Sequence, residues 1–295
     1  MTKIQNYMNR IFDDIYSRII KSFTNLGTLN KVQTIRKLFG TSNIREIEKY
    51  INEINPVFLK NSKELFNNAV YLPKSEITNL SSAIVILGKH KVIETIILQI
   101  IIKDLLVEFN QELKRQFFHN STVGVIAESI YPLISKKQDE KFEFFLRGYF
   151  HNFGKMVLLG FDKGIYFDII EEAKSEQLNY YEVEKILYGH SFQMKFTVAV
   201  LKYFEYQESV YEPVENYRSP GNTGYKMEAA VIQISDIFAT GLNIGEIEEC
   251  KLPQLDKEIQ GLIKFTPELI NSMFKSFIGR LPDVPKFYKK FVEFI

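Results

Sequence analysis

A nearly complete metal-binding phrase stands at the middle of the chain: Arg147-Gly148-Tyr149-Phe150-His151-Asn152-Phe153-Gly154-Lys155. An adjacent His-Asp pair in such a setting gives a metal one neutral nitrogen and one anionic oxygen. Here the second residue is Asn152, whose neutral carbonyl oxygen is a much poorer ligand for a divalent hydrolytic metal than a carboxylate. That one residue turns the expectation from a hydrolase toward a regulatory or binding protein. The chain has 4 histidines, His90, His119, His151 and His190. His119, in Phe117-Phe118-His119-Asn120-Ser121, reads as a ligand or as a partly buried helix-end residue bonded to backbone. His151 ends an aromatic helix that Gly154 is available to terminate; a capping role is the plain alternative, because a helix C-terminus favours positive imidazole. Lys155 is either solvated or faces an anion. His190 opens a helix whose inner face reads His190, Met194, Thr197 and Leu201, so it points inward, as a pocket residue or as a satisfied core residue. His90, between Lys89 and Lys91, reads as a solvated loop residue. Asp236 shares a helical face with Ala229, Ile232 and Ala239, and a carboxylate on an apolar face needs a partner. That partner is a ligand, a helix N-terminus or a lysine.

The elements that must position these residues are helical in period. Residues 5–24 place Tyr7, Ile11, Ile15, Ile19 and Phe23 at steps of four, one face of a helix that packs on the domain, forms a dimer interface or links to an input partner. Thr41-Ser42-Asn43 predicts a cap before Ile44 to Ile51, with Ser42 and Glu46 one residue too far apart for a capping box. Pro56 opens a run to Ala69, and Leu72-Pro73-Lys74 breaks it. Asn79 leads into a helix ending near Leu87-Gly88, where glycine suits a left-handed cap. Further helical runs are 92–117, 121–135, 138–153, 166–174, 181–204, 225–242, 257–263 and 267–277. Residues 205–224, with Pro213, Pro220, Gly221 and Gly224, predict the clearest long loop. No alternating strand series, glycine-rich phosphate loop or repeat is present. The predicted class is all-α, with a soft boundary near 107–117.

Composition is that of an ordinary globular protein: 295 residues, 45% hydrophobic, 25% charged. A net charge of +1, from 37 basic and 36 acidic residues, provides no field toward nucleic acid or an anionic membrane. Cys250 is the only cysteine, so no intramolecular disulfide forms and a reducing, cytoplasmic location fits. Its neighbours Glu248 and Glu249 raise rather than lower a thiol pKa. Met1 to Asp14 lacks the apolar stretch of a signal peptide. Val92 to Phe109 is interrupted by charged and polar residues and reads as a buried helix rather than a membrane span.

The order His119, His151-Asn152, Asp236 is similar to the H…HD…D ligand set of HD-superfamily phosphohydrolases. Over roughly residues 26–280 the chain resembles the HDOD family, the HD-related output domain of bacterial signalling proteins. Asn55-Pro56-Val57-Phe58-Leu59, Phe66 to Leu72, the Ile77 to Gly88 helix, Gly148 to Leu159, Glu182 to His190 and the helix ending Ser235-Asp236 follow that family's order. Asn55 stands where the family usually has Asp. Leu26 to Leu29 lacks the entrance prolines. Asn216-Tyr217-Arg218 occupies the region where catalytic relatives carry paired histidines. The resemblance implies an HD-like helical bundle with an N-terminal helical subdomain: a helix over 1–24, a subdomain over 25–108 and the HD-like part over 109–295. It implies a non-catalytic bacterial signalling protein that binds a partner protein or a nucleotide-like ligand, with a homodimer in keeping. The pocket residues would be His119, His151, Asn152, Lys155, His190 and Asp236, with no catalytic residue and no cofactor. No metal is expected; one, if held, would sit on His119, His151 and Asp236. The alternative is a weak metal-dependent phosphohydrolase acting on nucleotides or cyclic dinucleotides. A third class, nucleic-acid binding through Lys275, Arg280, Lys286, Lys289 and Lys290, is disfavoured by the neutral overall charge, a solvated face being the plainer reading. Neither nucleic acid nor membrane is an expected partner.

Overall fold

Helical periodicity is realised along the chain, and no strand occurs among the described residues of the computed structural model. These are residues 3–41, 43–54, 56–105, 110–135, 141–245 and 251–292. Ser42, Asn55, Cys250, part of the expected 107–117 boundary and the Tyr7 side chain lie outside them. The helices are α1 (Lys3–Asn25), α2 (Thr28–Lys37), α3 (Ile44–Ile54), α4 (Pro56–Phe66), α5 (Leu80–Leu87), α6 (Lys89–Leu105), α7 (Gln111–Ser135), α8 (Lys141–Phe150), α9 (Phe153–Phe161), α10 (Lys163–Glu176), α11 (Tyr180–Tyr188), α12 (Phe192–Tyr203), α13 (Glu208–Asn216), α14 (Lys226–Gly241), α15 (Lys257–Leu262), α16 (Pro267–Phe277) and α17 (Val284–Val292). They fall into two compact units, Met1–Ile19 with Glu108–Leu281, and Ile20–Val107 with Pro282–Ile295.

In the second unit α6 is buried on nearly every face, as its interrupted apolar run predicts, and its polar residues are buried with it. Asp104 accepts hydrogen bonds from Thr28 Oγ1 at 2.7 Å and Lys31 Nζ at 3.1 Å. A buried carboxylate supplied with two donors keeps its charge at tolerable cost. The segment after α4 is stitched by two asparagines. Asn67 bonds both the N–H and the carbonyl of Ile77, at 2.9 and 2.7 Å, while Asn68 Oδ1 accepts from Val70 N at 2.9 Å. Asn79 caps α5 in a reciprocal box with Ser82. Gly88 has positive φ, 89°, but ψ of 144°. It is an extended joint leading straight into α6, not the left-handed cap expected. His90 is exposed, as expected, but sits on the first turn of α6 rather than in a loop. Among the described residues no helix is long and apolar enough to cross a membrane.

In the first unit the apolar stripe of α1 packs on the unit's own residues: Ile15 and Ile19 are buried and Phe12 stacks on Phe196, ring centres 4.7 Å apart. Helices α7 and α8 pair in opposite directions, with Tyr131 on Phe144 and Gly124 on Gly148. A Cβ on Gly148 would stand 2.8 Å from the Gly124 Cα, and one on Gly124 would stand 2.7 Å from the Phe145 carbonyl. The two backbones therefore touch, and only glycine permits it. The single helical run expected over 181–204 is two helices. Gly189, at φ 75° and ψ −1°, ends α11 in the left-handed region, and Ser191 caps α12.

The long loop expected over 205–224 is instead largely helix α13, followed by a 3-10 turn over Pro220–Asn222. Pro213 lies inside α13 and has no N–H to give the Ser209 carbonyl four residues back. Arg147 Nε donates to that carbonyl at 2.9 Å, so the side chain of another helix replaces the missing backbone bond. Of the basic C-terminal residues, Arg280 is buried against Glu128, with its guanidinium 2.5 Å from the carboxylate. Lys286 pairs with Asp283 and Lys290 with Glu64, so three of those five cations are met by carboxylates.

Candidate functional site

The glycine contact between α7 and α8 sets the site. Moving back from Gly124 on α7 and forward from Gly148 past the end of α8 reaches His119 and His151, whose rings lie 5.1 Å apart. Helix α14 brings Asp236 to both. His119 Nε2 is 3.1 Å and His151 Nε2 3.4 Å from the same oxygen, Asp236 Oδ1. His119, His151 and Asp236 are 0%, 0% and 2% exposed. His119 is thus fully buried within α7, not at its end. The partner of Asp236 is a pair of imidazoles, not a helix terminus or a lysine. Gly154 does not terminate α8. It lies in the first turn of α9, where a Cβ would fall 1.8 Å from the Gln193 carbonyl, so its bareness lets α12 approach α9.

The protons can be assigned from the partners. The Gly148 carbonyl, 2.6 Å from His151 Nδ1, can only accept, so Nδ1 carries hydrogen. Burial lowers the His151 pKa, outweighing the pull of Asp236. Burial alone would raise the Asp236 carboxyl, but His151 and His119 hold it well below the ordinary carboxylate range. His151 Nε2, His119 Nδ1 and Asp236 Oδ2 make no hydrogen bond. Two imidazoles and one carboxylate present ligand atoms within 4.8 Å of one another. Donors about 2.0–2.2 Å from a common ion lie about 3.0–3.5 Å apart; both Nε2 atoms stand at that spacing from Asp236 Oδ1, so these are the three residues that would hold a metal ion. The orientation of His151 by a backbone carbonyl is what a metal-ligating histidine requires.

Two neighbours that sequence reasoning did not assign to the site complete it, both from the segment expected to be loop. Tyr217 donates its hydroxyl to Asn152 Oδ1 at 3.2 Å. Arg218 places Nη2 3.9 Å from Asp236 Oδ2, with its guanidinium carbon 4.7 and 5.0 Å from the Tyr181 and Tyr217 ring centres. The one available signal was positional: the family resemblance sets Asn216-Tyr217-Arg218 in a region of expected site residues. Lys155 is not solvated but 2% exposed, its Nζ 4.4 Å from the Tyr180 ring centre. The nearby Glu184 is fully buried and accepts from Ser191 Oγ at 2.5 Å and Gln193 N at 2.8 Å. Burial pushes its carboxyl up to about 7 against those two bonds and the charges of Lys155 and Arg218. His190 is not grouped with the metal-type ligands. It precedes the cap of α12, half-buried, its ring 4.9 Å from Phe192. Burial first, and Lys195 second, lower its pKa.

The profile of the HDOD domain family matches residues 33–220. No curated protein matches the chain in sequence. Among solved structures, an HDOD domain protein of unknown function from Geobacter sulfurreducens superposes with TM-score 0.57 at 17% identity, covering 90% of this chain and 89% of that one. A protein from Shewanella amazonensis, provisionally called a phosphohydrolase, gives TM-score 0.58 at 14% identity, covering 90% and 91%. One from Marinobacter aquaeolei, provisionally called a signal transduction protein, gives 0.64 at 12% identity, covering 89% of this chain but 59% of that one.

Proposed function

The chain belongs to the HDOD domain family, and from that premise we propose that it is a non-catalytic bacterial signal-transduction module of the cytoplasm. It acts by binding a partner protein or a nucleotide-like ligand. The observation that carries this reading is the fate of Asn152. Two-metal phosphoryl chemistry needs a bridging carboxylate at that position. Here a neutral amide stands there instead, and its oxygen is engaged by the Tyr217 hydroxyl. What remains is two imidazoles and one carboxylate in a site with almost no exposed surface. His119, His151, Asn152, Lys155, His190 and Asp236 are the residues assigned to the degenerate pocket. The signalling role is in keeping with the provisional name of the Marinobacter aquaeolei structure.

A second reading, a one-metal phosphohydrolase, is favoured by the convergence of His119, His151 and Asp236, whose ligand atoms lie within 4.8 Å of one another. An ion held by His119, His151 and Asp236 would act as a Lewis acid on a phosphoryl oxygen. Elemental analysis of protein purified without chelator separates the two, alongside His151→Ala and hydrolysis assays on nucleotides and cyclic dinucleotides with added Mn2+. The expected result is no stoichiometric metal and no turnover. Stoichiometric metal that the variant loses, together with turnover, would replace the first reading by the second.

A further inference from the structure

We propose that Arg218 is the resident cation of this site: its guanidinium supplies Asp236 with the positive charge a metal ion would bring, and so keeps divalent ions out. The inference rests on the reading of the site as metal-free and names the residue responsible. The three ligand atoms lie within 4.8 Å of one another, and a metal-free site calls for a charged group beside them that opposes an ion. Arg218 is the cation in place. Its Nη2 faces Asp236 Oδ2, the oxygen not shared by the histidines, at 3.9 Å. Its side chain is only 12% exposed, and the Tyr181 and Tyr217 rings lie against the guanidinium.

Charge balance explains why this matters. Asp236 and Arg218 together are neutral. A divalent ion added to that set would leave two uncompensated positive charges in a buried place, which desolvation opposes strongly. With Arg218 made neutral, the same ion would leave one, which a bound hydroxide cancels. The neighbouring residue acts on the other half of the centre, since Tyr217 occupies Asn152. Two consecutive residues, Tyr217 and Arg218, thus close both positions at which a metal centre of this geometry would be built.

The test is Zn2+ binding to the full chain by equilibrium dialysis and elemental analysis, with Co2+ absorption reporting the coordination geometry. Wild type, Arg218→Met, Arg218→Gln, Arg218→Lys and Arg218→Met/His151→Ala are compared, with circular dichroism melts establishing which variants are folded. Wild type and Arg218→Lys are expected to bind no stoichiometric ion. Arg218→Met and Arg218→Gln are expected to gain one site, tighter by roughly 10- to 100-fold, the range of outer-shell effects on metal affinity. The double variant is expected to lose it. If the folded Met or Gln variant binds no more metal than wild type, Arg218 is not the excluding cation, and the metal-free reading survives. If wild type itself takes up an ion at His151, both fail.

Discussion

Glu184 offers a measurable consequence of burial at the edge of the site. Its carboxyl is fully buried, and its pKa is raised from 4.5 to about 7 because burial outweighs the bonds from Ser191 and Gln193 and the charges of Lys155 and Arg218. A raised folded pKa contributes stability that is fully present below the unfolded value and lost as pH rises through the folded one. The window is therefore about pH 4.5 to 7, and the loss is about 2.5 pH units at about 1.4 kcal/mol each, or about 3.5 kcal/mol. Glu184→Gln keeps an acceptor for the Gln193 N–H and can donate to the Ser191 oxygen, while carrying no charge. Its melting temperature should match wild type near pH 4.5 and exceed it by about 7–14 °C at pH 8, at about 2–4 °C per kcal/mol for a unit of this size. Circular dichroism melts of both proteins across that range provide the comparison. Parallel curves would show that Glu184 does not change protonation on folding. A variant less stable than wild type at pH 8 would show that pairing with Lys155 and Arg218 outweighs desolvation, and the reasoning would be refuted.

Three further predictions follow from particular contacts. Arg147→Met removes the donor to the Ser209 carbonyl and a guanidinium 4.6 Å from the Phe144 ring centre; it should cost about 2–4 kcal/mol. Adding Pro213→Ala restores a backbone donor four residues on and should recover about 1 kcal/mol of that, read as a coupling energy in urea melts, whereas simple additivity would count against the carbonyl argument. Gly154→Ala places a Cβ into the Gln193 backbone and should destabilise by roughly 3 kcal/mol or more, as overpacking against backbone does; a melt within a degree of wild type would mean α9 and α12 can part freely. Asn152→Asp restores a carboxylate that the Tyr217 hydroxyl can still bond, and should raise metal affinity by roughly 10-fold or more. Unchanged Mn2+ binding by calorimetry would remove the main support for a degenerate metal site.

The sequence alone determined the helical class, because 3.6-residue periodicity and local punctuation are read over a few turns. Pro56, the Asn79 cap and the Leu87-Gly88 end all stand at helix boundaries. It also brought out His119, His151 and Asp236 as a set, since their order carries the family pattern. Punctuation misled where a partner far along the chain intervened. Pro213 signals a break, yet α13 persists because Arg147, a residue of α8, bonds the carbonyl the proline leaves bare. Gly154 looked like a helix stop, but its missing Cβ serves a neighbouring helix. Lys155 and Arg280 are cations whose burial no local pattern announces. Residues 284–292 belong with the unit built from 20–107, and no periodicity within them indicates it. Tertiary structure alone decided what the site is. Backbone contact at Gly124 and Gly148 brings two histidines to one carboxylate oxygen, and the chain's return through Tyr217 and Arg218 sets an amide bond and a cation beside them. Such pairings depend on which helices meet, a matter of packing geometry across a hundred residues, whereas the pattern of a single helix is written within its own turns.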